Sequence, residues 1–415
     1  MQIKSNKLIL GGVSAEQLIK DFGSPLYVYE GDVIRDRINQ LKSCIKWPKT
    51  DLHYACKANT NIHIMKILRK EGSYIDAVSP GEVQLALESS YDSKHILFTG
   101  NNASDEDLNF CIKNHVLVNL GSINQIHRYG KLAKNKKTAK KVSIRINPDV
   151  GAGHHGHCIT GGPDSKFGVY YNEIEEAQKT AKKYGLEIIG IHSHIGSGIL
   201  DTETWLMAMD VVLGVAKKVK GLSFIDFGGG IGVPYKPEEK SLNLNEFGKA
   251  VTKKFSEFCK EYGKDLRLKL EPGRFLVCES GYLLCTVTNT KKTPAHKFAG
   301  TDTGFNHLVR PAMYGSYHEI YNASNSKGAK EKIVIAGNIC ESGDIFTQDE
   351  HGPVGRSLPK IKEGDILAIA NAGAYGYSMA SNYNTRPLPA EVLVSKGKAR
   401  VIRKRQKVED LMKGM

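Results

Sequence analysis

The chain lacks the marks of a secreted or membrane-embedded protein. Its N-terminus carries no charged-then-apolar leader, and no apolar run approaches the ~20 residues a membrane-spanning helix needs. A cytoplasmic protein is the expectation. Eight cysteines are spread over 415 residues without a CxxC pair or a tight framework, which argues against a disulfide scaffold and for reduced thiols. Internal repeats and low-complexity linkers are missing too. Basic residues outnumber acidic ones, 58 to 44, for a formal net charge of +14. They are scattered, however, apart from KLAKNKKTAKK at 131–141 and a tail at 400–407. Neither run is interleaved with aromatics or set in a nucleic-acid module, so a solvated helix face and a basic tail are the readings, with no nucleic-acid partner and no membrane.

What is present is core-forming and periodic. At 40% hydrophobic residues, a chain of 415 can bury a sizeable core and form two domains. Residues 1–30 hold short strand-like pieces at 8–12 and 25–29. From about residue 31, helix-like segments near 31–44, 60–71, 80–90, 103–113, 122–136, 171–184, 203–219 and 244–262 alternate with short apolar runs. The runs lie at 52–58, 74–79, 95–100, 116–121, 142–148, 188–196, 224–232 and 266–275. Eight strands separated by helices predict a parallel sheet, and the count favours closure into a barrel. After about 276 the rhythm turns to strands with Gly, Pro and Asn turns. The predicted class is α/β: a TIM-like (β/α)8 barrel over 31–275, with a second, mostly β, sandwich-like domain made of 1–30 plus 276–415.

The chemically loaded residues fall at the ends of these runs. Lys57 ends the first, Asp76 lies in the second, and Arg145 and Asn147 end the fifth. His192 and His194 end the sixth, Gly228, Gly229 and Gly230 the seventh, and Glu271 and Arg274 the eighth. In a barrel all of them converge on the C-terminal face, where active sites form. A strand-end lysine alone is ordinarily solvated; a desolvated one becomes an amine able to form a Schiff base. FGGGIG at 227–232 lets backbone N–H groups close on an anion, although glycine also serves any tight turn. Glu271 can pair with Arg274, or it can keep a pyridine nitrogen protonated. His194 can stack on a ring or be a satisfied core histidine. Amine, glycine loop and carboxylate together match the needs of pyridoxal 5'-phosphate: an aldehyde partner, an anion anchor and a counter-charge for the ring nitrogen. A protonated ring is a strong electron sink, which favours loss of CO2 over racemisation. The loop at 151–162, with His154, His155, His157 and Cys158, invites a metal. Adjacent side chains on a short loop rarely converge, so no metal is assigned and a lid over the substrate is expected.

Several stretches carry a resemblance: YACKAN at 54–59, HSHIGSG at 192–198, DFGGGIG at 226–232, EPGR at 271–274, DTGFNHLVRPAMYGSYH at 302–318, CESGD at 340–344 and GAYGYSMASNYNTRPLPAEVLV at 373–394. In order and from about residue 20 to 400, they resemble the diaminopimelate decarboxylase family, of the alanine-racemase-like, fold type III pyridoxal phosphate enzymes. The resemblance implies a homodimer with composite active sites and decarboxylation of meso-2,6-diaminopimelate to L-lysine, the last step of lysine biosynthesis. It makes Lys57 the Schiff-base lysine and His194 the residue stacked on the ring. Ser197, Gly228, Gly229, Gly230 and Tyr375 hold the phosphate and Glu271 faces the ring nitrogen, with Asp76, Gly273 and Arg274 also counted in the cofactor-binding set. Arg274, Arg310 and Tyr314 bind the distal carboxylate of an amino diacid, with Tyr375 also at the substrate. Cys340 and Glu341 reach the neighbouring subunit's site, Cys340 as proton donor and Glu341 as partner of the distal ammonium. A two-ended amino diacid needs one clamp for each far charge, an arginine fork for the carboxylate and an acid for the ammonium. The alternative is a same-fold decarboxylase of ornithine, arginine or D-lysine. The ornithine and arginine enzymes have no distal carboxylate to clamp and typically show an aspartate after the cysteine.

Overall fold

The computed structural model describes residues 1–149, 152–153 and 162–415; His154, His155, His157 and Cys158 lie outside the described residues. The chain divides into two compact units. Arg37–Val233 with Lys240–Leu276 forms one, and Met1–Asp36, Pro234–Glu239 and Val277–Met415 form the other.

The first unit is the barrel. Its strands are β1 (Thr50–Ala55), β2 (Tyr74–Ala77), β3 (Ile96–Phe98), β4 (Leu117–Leu120), β5 (Lys141–Asn147), β6 (Glu187–His192), β7 (Phe224–Asp226) and β8 (Arg267–Leu270). Each pairs in parallel with the next, and β8 pairs with β1 to close the ring. These strands are buried on both faces, yet some still alternate apolar with polar residues, as in KVSIRIN at 141–147 and RLKL at 267–270, because polar side chains also line the barrel. Helices α1 (Ile62–Lys70), α2 (Pro80–Glu88), α3 (Asp105–Lys113), α4 (Ile123–Leu132), α5 (Ile174–Lys183), α6 (Thr202–Ala216) and α7 (Leu244–Tyr262) follow strands β1 to β7. Their starts are chemically marked. Ser79 accepts a bond from Glu82 N–H ahead of a first-turn proline, and Ser104 and Asp107 form a reciprocal capping box. Such caps contribute ~1 kcal/mol each and fix where the chain leaves the strand for the helix.

The apolar runs continue past the strands they contain. β1 stops at Ala55 and a 3-10 turn, Cys56–Ala58, carries Lys57. β6 stops at His192, β7 at Asp226 and β8 at Leu270. His194, the glycines and Glu271 therefore sit on buried turns beyond the ladder. Burial is what the sequence pattern reports, and a buried turn looks the same as a strand.

The second unit is mostly β. Leu26–Glu30 runs antiparallel to Gly281–Lys292 and parallel to Ala390–Ser395, so an N-terminal strand sits inside a sheet built from the C-terminal third. Leu8, Leu10, Leu26, Leu284, Ala368 and Val392 belong to its core. Among the described residues, no helix is long and apolar enough to cross a membrane.

Candidate active site

Lys57 is half-buried on a turn that its neighbours hold firmly. Tyr54 Oη donates to Asn59 O at 2.9 Å, Asn59 Oδ1 accepts from Asn61 N–H at 3.0 Å, and Asn61 Oδ1 caps α1 through His63 N–H. Glu82 Oε2 accepts from Val78 N–H at 2.8 Å and from the Cys56 thiol at 3.4 Å. A Cβ on Gly273 would lie only 3.1 Å from Ala55 O and 3.2 Å from the Ala58 Cβ, so glycine there lets the 271–274 loop pack on the lysine turn.

The three glycines after β7 are a backbone joint. Gly228 has φ +70° and Gly230 φ +118°, conformations that side chains disfavour. A Cβ on Gly228 would stand 2.4 Å from Ser193 O, and one on Gly229 2.3 Å from Glu271 O. Two of the three N–H groups are engaged within the protein. Gly228 donates to Asp226 Oδ1 at 2.9 Å and Gly229 to His194 Nδ1 at 3.1 Å. That second bond fixes the His194 ring plane and makes Nδ1 an acceptor, so the neutral ring carries its proton on Nε2. Burial, with Lys57 and Arg145 adding to it, holds His194 well below the usual imidazole range. Nearby, Arg274 donates to Ser197 Oγ from both Nε and Nη2 at 3.2 Å, placing a guanidinium and a hydroxyl together.

Glu271 is buried, and its N–H donates to Gly228 O at 2.8 Å. Oε2 lies 2.9 Å from His192 Nε2. Burial and then Asp76 raise its carboxyl well above the ordinary range, against the pull of Lys57, Arg145 and Lys269. Burial and the Glu271 charge raise Asp226 in the same way. Oε1 of Glu271 has no hydrogen-bond partner among the described residues. A buried carboxylate oxygen without a donor is costly. A heterocycle N–H would supply the missing donor, so the residues fit pyridoxal 5'-phosphate: an amine, a carboxylate oxygen with room for a donor, and a hydroxyl–guanidinium pair for an anion. Arg145, from β5, lies 4.3 Å over the Phe167 ring and is pushed down to about 10 by burial, while Glu271 and Asp76 hold it up. Asp76 accepts a short hydrogen bond from Thr99 Oγ1.

Burial pushes His192 down to about 4. Its unfolded value is ~6.5, so between those pH values the unfolded chain binds the extra proton. The stability tied to a neutral His192 is thus fully present above pH 6.5 and is lost as pH falls toward 4, an effect on the order of 3 kcal/mol. A His192→Gln protein is expected to lose less of its melting temperature than wild type between pH 6.5 and 4. Equal losses in calorimetry would refute the assignment.

In the β unit, Arg310 opens a short helix, Arg310–Tyr314. Its Nη2 donates to Ser316 Oγ at 3.0 Å, and its guanidinium lies over the rings of Tyr235 and Tyr314 at 5.2 and 5.6 Å. Arg310 Nε has no acceptor among the described residues. Cys340 and Glu341 are exposed on one tight turn. Asn384 Oδ1 accepts from Cys340 N–H at 2.7 Å, and Asp344 braces the turn by accepting from Ile339 N–H at 2.7 Å and Phe305 N–H at 2.6 Å. Tyr375 is half-buried with φ +56°, a left-handed conformation unusual for an aromatic residue.

The barrel thus brings Lys57, Asp76, His194, Ser197, the glycines, Glu271, Gly273 and Arg274 into one unit, and the β unit carries Arg310, Tyr314, Cys340, Glu341 and Tyr375. Three contributors escaped assignment from sequence. Arg145 and His192 were seen at strand ends without a role. Asp226 was read only as part of the DFGGGIG stretch, although an acid closing an apolar run just before three glycines was the available signal.

Residues 31–278 match the family described as pyridoxal-dependent decarboxylase, pyridoxal binding domain. Over nearly its full length the chain is similar to diaminopimelate decarboxylases. It is 47% identical to that of Methanothermobacter thermautotrophicus, covering 98% of this chain and 95% of that one. It is 37% identical to that of Escherichia coli, covering 96% of each. Among solved structures, diaminopimelate decarboxylase from Helicobacter pylori complexed with L-lysine superimposes with a TM-score of 0.87 at 35% identity, over 95% of this chain and 98% of that one. The family match and these relatives define a pyridoxal-dependent decarboxylase. Within that class, the chain belongs to the diaminopimelate decarboxylase family.

Proposed function

We propose that the protein uses pyridoxal 5'-phosphate to remove the carboxylate from the D-configured centre of meso-2,6-diaminopimelate, giving L-lysine and CO2 as the last step of lysine biosynthesis in the cytoplasm. The observation that carries the cofactor reading is the buried Oε1 of Glu271, without a hydrogen-bond partner among the described residues, in a barrel mouth that also holds Lys57. The full-length kinship to diaminopimelate decarboxylases supports the substrate.

When bound, the cofactor supplies an electron sink for the carbanion left as CO2 departs. In this reading Lys57 Nζ would tether it through its aldehyde, and Glu271 Oε1 would accept from the ring nitrogen. His194, held by Gly229 N–H, would lie against the ring, and Ser197, Arg274, the glycine loop and Tyr375 would hold the phosphate. Arg310 and Tyr314, with Arg274, would take the distal carboxylate, and Arg310 Nε, which has no acceptor among the described residues, can donate to it. Glu341 pairs with the distal ammonium, and the Cys340 thiol delivers the proton that replaces CO2. An exposed turn bearing both groups suits a homodimer in which each copy completes the other's site.

Purified protein supplied with pyridoxal 5'-phosphate and meso-diaminopimelate is expected to release equal amounts of lysine and CO2. Turnover of ornithine, arginine or D-lysine with none of diaminopimelate would overturn the substrate assignment. Arg310→Leu is expected to raise KM on the order of a hundredfold, the effect of stranding one buried carboxylate, with a much smaller change in kcat.

A further inference from the structure

His192, Asp226 and Glu271 are 1%, 0% and 4% exposed; the first two end β6 and β7, and Glu271 directly follows β8. One polar atom from each lies within 4.8 Å of the other two. The cluster grips the glycine loop from both sides. Asp226 Oδ1 holds Gly228 by its N–H, and Glu271 N–H holds it by its carbonyl. Asp226 O also accepts from Ser193 N–H at 2.9 Å, fixing the turn that follows His192. The Glu271 carboxylate is therefore anchored at its main chain and, through His192 Nε2, at one oxygen.

We propose that His192 is a positioning residue for recognition of the cofactor's ring nitrogen: its Nε2 occupies one oxygen of Glu271 and leaves Oε1 turned to the ring N–H. The inference rests on the cofactor reading above. A neutral imidazole donating to Oε2 satisfies that oxygen without adding charge. It stops the carboxylate from turning about its last bond and lowers the tendency of Glu271 to take up the proton itself. Without it, a carboxyl that burial and Asp76 already push up would take the proton more readily, and the ring nitrogen would more often meet a neutral acid in place of a counter-charge. The role would be felt at the ring nitrogen alone, and this separates it from a general packing role.

The test compares binding of pyridoxal 5'-phosphate with binding of its 1-deaza analogue, in which C–H replaces the ring nitrogen, to cofactor-free wild type, His192→Leu and His192→Gln. The glutamine amide can still reach Oε2, whereas leucine cannot donate. His192→Leu is expected to bind the true cofactor about tenfold more weakly, the cost of one hydrogen bond to a charged group. His192→Gln should restore the affinity, and the analogue should bind all three proteins alike. If His192→Leu does not fold, as judged by thermal melting, His192→Asn, whose amide is too short to reach, is expected to show the same selective loss. Equal weakening of both ligands, or no weakening of either, overturns the proposal. A wild-type protein that gives no borohydride-reducible band with pyridoxal 5'-phosphate overturns the cofactor reading and this inference with it. A band present in wild type with unchanged affinity in the variants overturns this inference alone.

Discussion

Alanine at Lys57 is expected to end decarboxylation, lowering kcat/KM by at least about 10^4-fold and removing the borohydride-reducible absorbance band. The turn that carries Lys57 is held by Tyr54, Asn59 and Asn61 through bonds that do not involve the lysine side chain as donor. The variant should therefore fold normally, and its melting temperature without cofactor should match wild type. Loss of activity can then be assigned to the missing amine. Cys340→Ala should also be inactive and stable, because the thiol is exposed and its turn is braced through backbone N–H groups and Asp344. If each site takes its lysine from one copy and its thiol from another, mixing the two variants produces hybrids with one intact site. With free exchange, half of the dimers are hybrids, so activity should return to about a quarter of wild type. Hybrids that form, as shown by mass spectrometry, and stay inactive would disprove the shared site.

Glutamine at Glu271 is expected to lower kcat by roughly 10^2- to 10^3-fold, the scale on which a preorganised charge at a reacting centre acts, while KM changes little. The amide matches the carboxyl in shape and can still meet His192 Nε2, but it cannot stand opposite a protonated ring nitrogen as a counter-charge. Stability should move the other way. Burial and Asp76 already disfavour the Glu271 charge, so a neutral side chain should leave the cofactor-free protein as stable as wild type or more so. A parallel fall in kcat and melting temperature would point to a structural role for Glu271.

Much of this was legible in the sequence, for identifiable reasons. The helices expected at 31–44 and 244–262 occur as Gly31–Cys44 and Leu244–Tyr262, because amphipathic spacing and polar starts mark helices at both ends. The strands were found but overrun, since Ser193, Gly228 and Glu271 sit on turns as buried as the strands before them. The insertion of Leu26–Glu30 between Gly281–Lys292 and Ala390–Ser395 joins segments more than 250 residues apart, and no local pattern encodes that pairing. At the barrel mouth, convergence of Lys57, His194 and Glu271 on one rim followed from strand order alone. What did not follow was the finer division of labour. The Gly228 and Gly229 N–H groups are taken by Asp226 and His194, and Arg274 lies against Ser197, because these are contacts between neighbouring turns whose geometry only the closed ring determines.

Those turns have a consequence for how such a barrel can change over evolutionary time. Ala55 N–H bonds to Pro272 O, Phe227 N–H to Lys269 O, Glu271 N–H to Gly228 O and Ser193 N–H to Asp226 O, so the ring goes on closing after the sheet has ended. A one-residue insertion in any of these turns would shift its neighbours out of register as well. The first few positions after β6, β7, β8 and β1 should therefore tolerate almost no change of length, and new specificity there has to come from exchanging side chains on a rim of fixed perimeter or from remodelling segments farther out.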